Sequence, residues 1–362
     1  MSIFGTAIPV SLFGESHEKI IGITVHNMVG NFVIDCDLIK ADLEQRKANK
    51  WYHTSRQEPD EFEIISGYFN GKTTGAPLTI IIKNKHMNSE DYTPGHVRPN
   101  HADYPAYIRS DGAYDYRGGG HFSGRLTALL VILGSLSKQL LARKNIIVAS
   151  HIKQLHNVHA TPLNLMSVST AKLLAMRTQE WPVFDQTLIP KFEQLLTETL
   201  AQKDSVGGVV QTVITNLEVG LGDPFFDGID ALISHLIMAL PSTKGIQFGD
   251  GFSLANKTGE AVTDTVQYEQ NKVVFKANHM GGVLGGLSTG NMIVFDTVIK
   301  PTPSIKKPVK TINLVTQSNC LQSLKGRHDP CIVPRIVPVI NAVSYYALLE
   351  LIVRKDGWSW IK

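Results

Sequence analysis

Two stretches of this chain leave few architectures open. Residues 125–141, RLTALLVILGSLSKQLL, and 336–353, IVPVINAVSYYALLELIV, are apolar nearly all round a helical wheel. A helix without a polar face must be covered on every side. Neither stretch reaches the roughly 18 uninterrupted apolar residues that a bilayer span needs, so the expected cover is protein. Strands to supply it are read at 20–28, 207–219, 245–249, 272–276 and 292–298. Residues 62–68 and 77–83, joined by FNGKTTGA, read as a hairpin. Amphipathic helices are predicted from a cap at Asp37 to about Lys47, over 187–202, and in ALISHLIMAL behind Asp227 or Asp230. Residues 84–120 read as one long loop, too rich in aromatics and Arg for disorder.

The buried helices recur together with their surroundings. GITVHNMVG is like VQTVITNLEVG, and GKTTGAPLTIIIKN is like GGLSTGNMIVFDTVIKP. GGGHFSGR with its helix is like KGRHDPCIVPR with its own, all at an offset of roughly 200 residues. No Pro-, Gly- or Ser-rich linker divides the chain. The expectation is an α/β (α+β) fold over residues 1–362: a single-domain β-α-β sandwich with buried central helices and an internal pseudo-repeat.

Lys and Arg number 35 against 32 acidic residues, a net charge of +3, and the basic residues sit in turns rather than tracts. That distribution favours pockets over a broad nucleic-acid-binding face. Cys36, Cys320 and Cys331 include no CxxC pair, which argues against a disulfide framework or zinc site and for a reducing compartment. The N-terminus has neither a basic start nor a sustained apolar run, so no signal peptide is read and a cytoplasmic location is expected, with no membrane partner.

The turns carry the chemistry. DYRGGGHFSGR (115–125) holds three consecutive glycines, costly to order, so something must approach that backbone closely. His17, His101, His121 and His328 lie in GESH, RPNHADY, GGGHFSGR and GRHDP, flanked by Arg98, Arg117, Arg125, Arg327 and Arg335. Arginine forks in apolar, turn-dense surroundings match phosphate and carboxylate, and glycines before a helix present N–H groups to an anion. Nucleotide fingerprints fail: GYFNGKTTG is one residue short of a Walker loop and leads into a strand, and the frame opening at Gly118 ends on Ser123. No HxxxH or HExxH spacing points to a metal. The residues alone describe a cytoplasmic enzyme for a small polyanion.

The same turns resemble chorismate synthase nearly end to end. Eight segments stand in family order: FGESH, EPDEFEIISGYFNGKTTGAPL, RPNHADY, YDYRGGGHFSGR, KGIQFGDGF, NHMGGVLGGLSTG, KPTPS and GRHDPCIVPRIVP. The resemblance implies a lyase that eliminates phosphate in an anti-1,4 sense from 5-enolpyruvylshikimate-3-phosphate, using reduced FMN without net redox change. It implies catalytic roles for His17, which protonates the leaving phosphate, His101, which handles the flavin's proton, and Asp329. It implies flavin contacts from His121, Phe122, Ser123, Pro241, Ser242, Gly285, Lys300, Pro301, Thr302, Pro303, Ser304 and Arg327. Substrate contacts fall on Arg46, Arg98, Ser123 and Arg125, with no metal. A homotetramer supplied by an external flavin reductase is implied too, with NADPH as a further candidate reductant.

Several positions depart from the family pattern. Glu18 and Asn100 replace glycines, and Asn tolerates a left-handed backbone. Trp51 stands where the family has a substrate-gripping Arg, with Lys50 or Arg56 as candidate substitutes. A flavin-binding paralogue with weak or no turnover is the alternative, and a non-catalytic polyanion-binding protein a second one.

Overall fold

The computed structural model describes residues 2–53, 58–87, 89–163, 168–323 and 329–361. The first sheet comprises β1 (Ile3–Phe4), β2 (Val10–Gly14), β3 (Ile20–Val25), β4 (Phe62–Ser66) and β5 (Leu78–Lys83), in the order β1-β2-β3-β5-β4. The second comprises β6 (Ile147–Leu155), β7 (Val158–His159), β8 (Gly208–Thr215), β9 (Thr243–Phe248) and β10 (Ile293–Ile299), in the order β9-β10-β8-β6-β7. All pairings are antiparallel. The helices are α1 (Cys36–Arg46), α2 (Asp103–Arg109), α3 (Thr127–Leu141), α4 (Thr170–Arg177), α5 (Ile189–Ala201), α6 (Ile229–Ala239) and α7 (Val333–Asp356).

The expected pseudo-repeat is present as topology. β2-β3-α1-β4-β5-α3 and β6-β8-α6-β9-β10-α7 follow one plan, and each half pairs its strands in the same spatial order. The two sheets enclose α3 and α7, which pack against each other. Alternation sets the cover. Ile21, Ile23 and Val25 of β3 and Leu78, Ile80 and Ile82 of β5 point inward, as do Val210 and Ile214 of β8 and Ile293 and Phe295 of β10. The outer face of the second sheet is also covered, where Ala149, Val213 and Val294 meet Leu173 and Met176 of α4.

Gly134 of α3 lies so near α7 that a Cβ would sit 2.2 Å from Ala342 Cα, which lets the central helices touch. By length and composition α3, with its flanking turns, and α7 pass the test for a bilayer span, yet 78% and 89% of those stretches are buried inside the fold. Of the charged residues of α7, only Glu350 is buried. Glu350, fully buried, accepts from the N–H groups of Thr6, Ala7 and Ile8 at 2.6, 2.9 and 2.7 Å and pins the N-terminal turn to the core.

Some local expectations shift. The cap of α1 is Asp35, whose side chain accepts from the N–H groups of Asp37 and Leu38. Gly228 rather than an aspartate caps α6, and Asp230 falls in its first turn. The expected long loop contains α2, a seven-residue helix exposing Tyr104 and Ile108, too short to show a period. β6 and α4 have no counterpart in the sequence expectations, because β6 is buried on both faces and shows no alternation, and α4 has eight residues of which only Leu173 and Met176 are buried.

Candidate active site

The site grows from the glycine turn. Gly118, Gly119 and Gly120 all have positive φ, at 59°, 92° and 53°. A Cβ on Gly118 would lie 2.4 Å from the His17 ring, one on Gly119 3.1 Å from His101 Nε2, and one on Gly120 2.3 Å from the Asp115 carbonyl oxygen. What crowds this backbone within the protein is therefore a pair of histidines. Side chains are excluded both by the left-handed conformation and by the rings stacked against it.

Each histidine is held from behind. His17, buried, has Nδ1 3.1 Å from Ser89 Oγ, and its ring meets Tyr92 edge-on. His101 Nδ1 lies 2.7 Å from Asp103 Oδ1. Burial works to raise the Asp103 pKa, but hydrogen bonds from Arg98 and His101 outweigh it and hold the carboxyl well below the usual range. It stays anionic and fixes the His101 Nδ1 proton, which leaves Nε2 facing the turn. His121 is tied through Nδ1 to the Gly14 carbonyl at 3.0 Å and through Nε2 to Ser2 Oγ at 2.6 Å, so it accepts from the serine.

Beside the turn lies a cavity of about 840 Å³. Its wall includes Arg46, Arg98, His101, His121, Phe122, Ser123, Arg125, Pro241, Ser242, Lys300, Thr302, Pro303, Ser304 and Asp329. These residues are expected from the sequence and come from six separate segments of the chain. His17 stands behind Gly118 rather than on that wall. Pro301 turns towards a second cleft of about 550 Å³ beside α5. Gly285 lies in a short hairpin, Val283–Leu284 with Leu287–Ser288, with nothing within 4 Å of a Cβ built on it; the register of that turn, rather than the cavity wall, sets its place. Arg327 and His328, like Arg56, lie outside the described residues.

Sequence reasoning missed the member that organises the cations. Asp60, 3% exposed, accepts from Arg46 Nη2 at 2.8 Å and from Arg125 Nη1. Burial would raise its pKa, but the two guanidiniums outweigh burial and keep it below the ordinary carboxylate value. Burial also pushes Arg46 down to about 10 despite Asp60, which leaves it charged at neutral pH. Arg46 Nε and Arg125 Nη2 are buried without a hydrogen-bond partner among the described residues. Such donors are rare, and here both belong to residues of the cavity wall. Arg335, also unassigned beforehand, donates to Asp329 Oδ2 at 2.5 Å and to the Arg46 carbonyl at 3.2 Å. Lys244 and Lys300 give the far side of the wall positive charge; burial and Lys244 depress the Lys300 pKa.

The sequence departures have local explanations. Asn100 adopts φ 63°, the left-handed conformation expected of it. Glu18 accepts from Arg117 Nη2 at 2.9 Å on the outer side of the His17 loop. Trp51 is 57% exposed, edge-on to Tyr52, and outside the cavity wall. Lys50 pairs with Glu180 at 2.8 Å and does not reach the wall either.

A family model described as chorismate synthase matches residues 8–353. Chorismate synthase of Thermococcus kodakarensis is 38% identical over 360 residues, 98% of both chains. That of Aeropyrum pernix is 38% identical over 362 residues, 99% of this chain and 95% of the other. A solved chorismate synthase crystal structure, 23% identical, superposes with a TM-score of 0.77 and covers 98% of this chain and 94% of its own. That last likeness bears on the fold.

Proposed function

The chain belongs to the chorismate synthase family, and from that premise we propose how its own residues carry the reaction. It is a carbon–oxygen lyase that eliminates phosphate from 5-enolpyruvylshikimate-3-phosphate to give chorismate. The single observation that carries the residue assignment is the pair of orphaned buried donors, Arg46 Nε and Arg125 Nη2, on residues lining a cavity beside two histidines. A substrate with two carboxylates and a phosphate supplies the acceptors those donors lack.

The cavity residues also fit reduced FMN. The wall joins the apolar faces of Phe122, Leu240 and Pro241 to the cationic Lys244 and Lys300, suited to a flat ring system with a phosphate. His121, Ser123, Ser242 and the Lys300–Ser304 segment would hold it, with Arg327 and Gly285 as further expected contacts. What a reduced flavin supplies there is a transient electron that helps expel phosphate, with no net redox change. Arg46, Arg98 and Arg125 bind and orient the substrate anion. His17 donates a proton to the departing phosphate, and its burial behind Gly118 keeps water from competing. His101 moves a proton at Nε2 while Asp103 holds Nδ1. Asp329, braced by Arg335, serves as the carboxylate acceptor.

Anaerobic incubation with substrate tests this reading. Chorismate should form with reduced FMN and not with oxidised FMN; formation at equal rates with both would remove the flavin from the mechanism. The proposal extends to a cytoplasmic homotetramer fed by a separate reductase. A monomeric mass in light scattering, or NADPH-driven flavin reduction by the chain alone, would overturn those parts.

A further inference from the structure

Asn84, which follows β5 and is 7% exposed, touches two parts of the site without lining the cavity. Its Oδ1 accepts from Arg125 Nε at 3.0 Å. Its Nδ2 donates to the carbonyls of Glu15 at 3.1 Å and Glu18 at 2.6 Å, and its own N–H donates to the Lys19 carbonyl at 3.0 Å. Those carbonyls bracket His17. The two acceptors fix which way the amide points, since turning it over would set its oxygen against two carbonyl oxygens. Arg125 is thereby constrained at Nε by Asn84 and at Nη1 by Asp60, and the remaining terminal nitrogen, Nη2, is the one without a partner. The same loop is fastened from its other side, where the Ser16 N–H donates to the Gly120 carbonyl at 3.1 Å.

We propose that Asn84 is a positioning residue that couples the aim of Arg125 to the placement of the His17 loop, so that substrate grip and proton donation share one joint. The inference rests on the roles given above to Arg125 and His17. No other side-chain type of this size supplies one acceptor and two donors from a planar group. Asn84→Asp keeps the volume and the acceptor but turns a carboxylate oxygen on the Glu15 and Glu18 carbonyls. Asn84→Ala removes all three hydrogen bonds.

Steady-state kinetics of the full chain with substrate and reduced FMN, on Asn84→Ala, Asn84→Asp, Arg125→Lys and the double variant Asn84→Ala/Arg125→Lys, test the joint. We expect Asn84→Ala to raise KM and lower kcat, each by about tenfold or more, and Asn84→Asp to lower kcat at least as far. A lysine has no Nε for Asn84 to aim. In the Arg125→Lys background the further KM rise from Asn84→Ala should therefore shrink to under about threefold, while its kcat loss persists. Full multiplication of the two KM effects, or both parameters of Asn84→Ala within about twofold of the parent, overturns the proposal. If Arg125→Lys alone leaves KM unchanged, the substrate role of Arg125 fails, and the kcat of Asn84→Ala still decides the loop half. Should Asn84→Ala not fold by circular dichroism, Asn84→Ser, which keeps a hydroxyl at the site, takes its place under the same criteria.

Discussion

Asp60 and Asp296 are each 3% exposed, Asp60 meets two guanidiniums and Asp296 one ammonium, and the two aspartates have opposite surroundings. Asp296 lies on the outer face of the second sheet. It accepts from Gln211 Nε2 at 2.9 Å, Lys153 Nζ at 2.7 Å and Gln247 Nε2 at 3.1 Å. Next to it His151 contacts Gln211 at 3.2 Å and packs edge-on to Phe184. Among the described residues, Asp296 lines neither the site cavity nor the cleft beside α5, and the donors of Gln211, Lys153 and Gln247 end on it. Asp60 holds two arginines that retain buried donors with no partner among the described residues, and it does so on the wall of the 840 Å³ cavity. Burial of charge is common to both clusters. What separates a site from a structural network is donor capacity left over and a space for it to act in.

The largest effect expected is at a third carboxylate, Asp329, which shares the cavity wall and is braced by Arg335. Asp329→Asn changes little volume and should lower turnover by roughly 10²–10⁴-fold with the fold and FMN binding nearly intact. Turnover within threefold of the parent, in single-turnover assays, would take Asp329 out of the chemistry and break the division drawn above.

Next comes the direct contrast. Asp60→Asn leaves two buried guanidiniums facing each other and should raise the substrate KM by about 10- to 100-fold, with a stability loss of about 3 kcal/mol. Asp296→Asn should lower the urea midpoint while kcat and KM stay within about twofold, since Lys153 is exposed enough to turn to solvent. A kinetic defect in Asp296→Asn with none in Asp60→Asn would invert the comparison.

The two clusters should also differ in pH. Burial pushes His151 down to about 4 from 6.5, so the unfolded chain binds that proton first and stability falls as pH drops from about 6.5 to 4. The full loss at this one residue is about 3 kcal/mol. Asp296 and Lys153 are the charged groups that act on it, and both are secondary to burial. Burial lowers His53 to about 4 as well, so it adds to the same window. Asp60, with its pKa depressed, contributes stability above the ordinary carboxylate pKa, and this is lost only at lower pH. His151→Gln should therefore flatten the stability curve between pH 6.5 and 4 and leave the more acidic limb unchanged. An unchanged slope in urea titrations at pH 7, 5.5 and 4.5 would count against a buried neutral His151.

The smallest effect is expected at Trp51. Trp51→Arg should change KM by no more than about twofold, because position 51 is exposed and off the cavity wall. Lys50→Ala should do as little, since an exposed pair such as Lys50–Glu180 is worth under about 1 kcal/mol. A tenfold gain in affinity from Trp51→Arg would show that this segment reaches the substrate.

Much of the architecture is legible in the sequence. Helices apolar all round can only be interior, and the recurrence of their flanking turns and strands announced two copies of one plan, because hydrophobic periodicity and glycine chemistry are local properties of a chain. β6 and α4 escaped that logic. β6 is covered on both faces and so shows no alternation, and α4 is a short helix that buries only Leu173 and Met176. The histidine and arginine turns of the site were legible as types in turns, since turn residues advertise themselves. The glycine run announced a close approach, but not that His17 and His101 make it.

Sequence by itself determined the layered fold, the repeat, and the set of turns rich in glycine, histidine and arginine. Tertiary structure alone decided which of those turns meet. Asp60 is one of 32 acidic residues, and nothing local marks it as the carboxylate between Arg46 and Arg125. Asn84 is an ordinary strand-end asparagine until folding sets its amide between Arg125 and the carbonyls around His17. The reason is physical. Propensity and periodicity act over a few residues, whereas the desolvation and pairing of charge depend on partners 14 to 69 residues away, which only the packed chain brings within 3 Å or so.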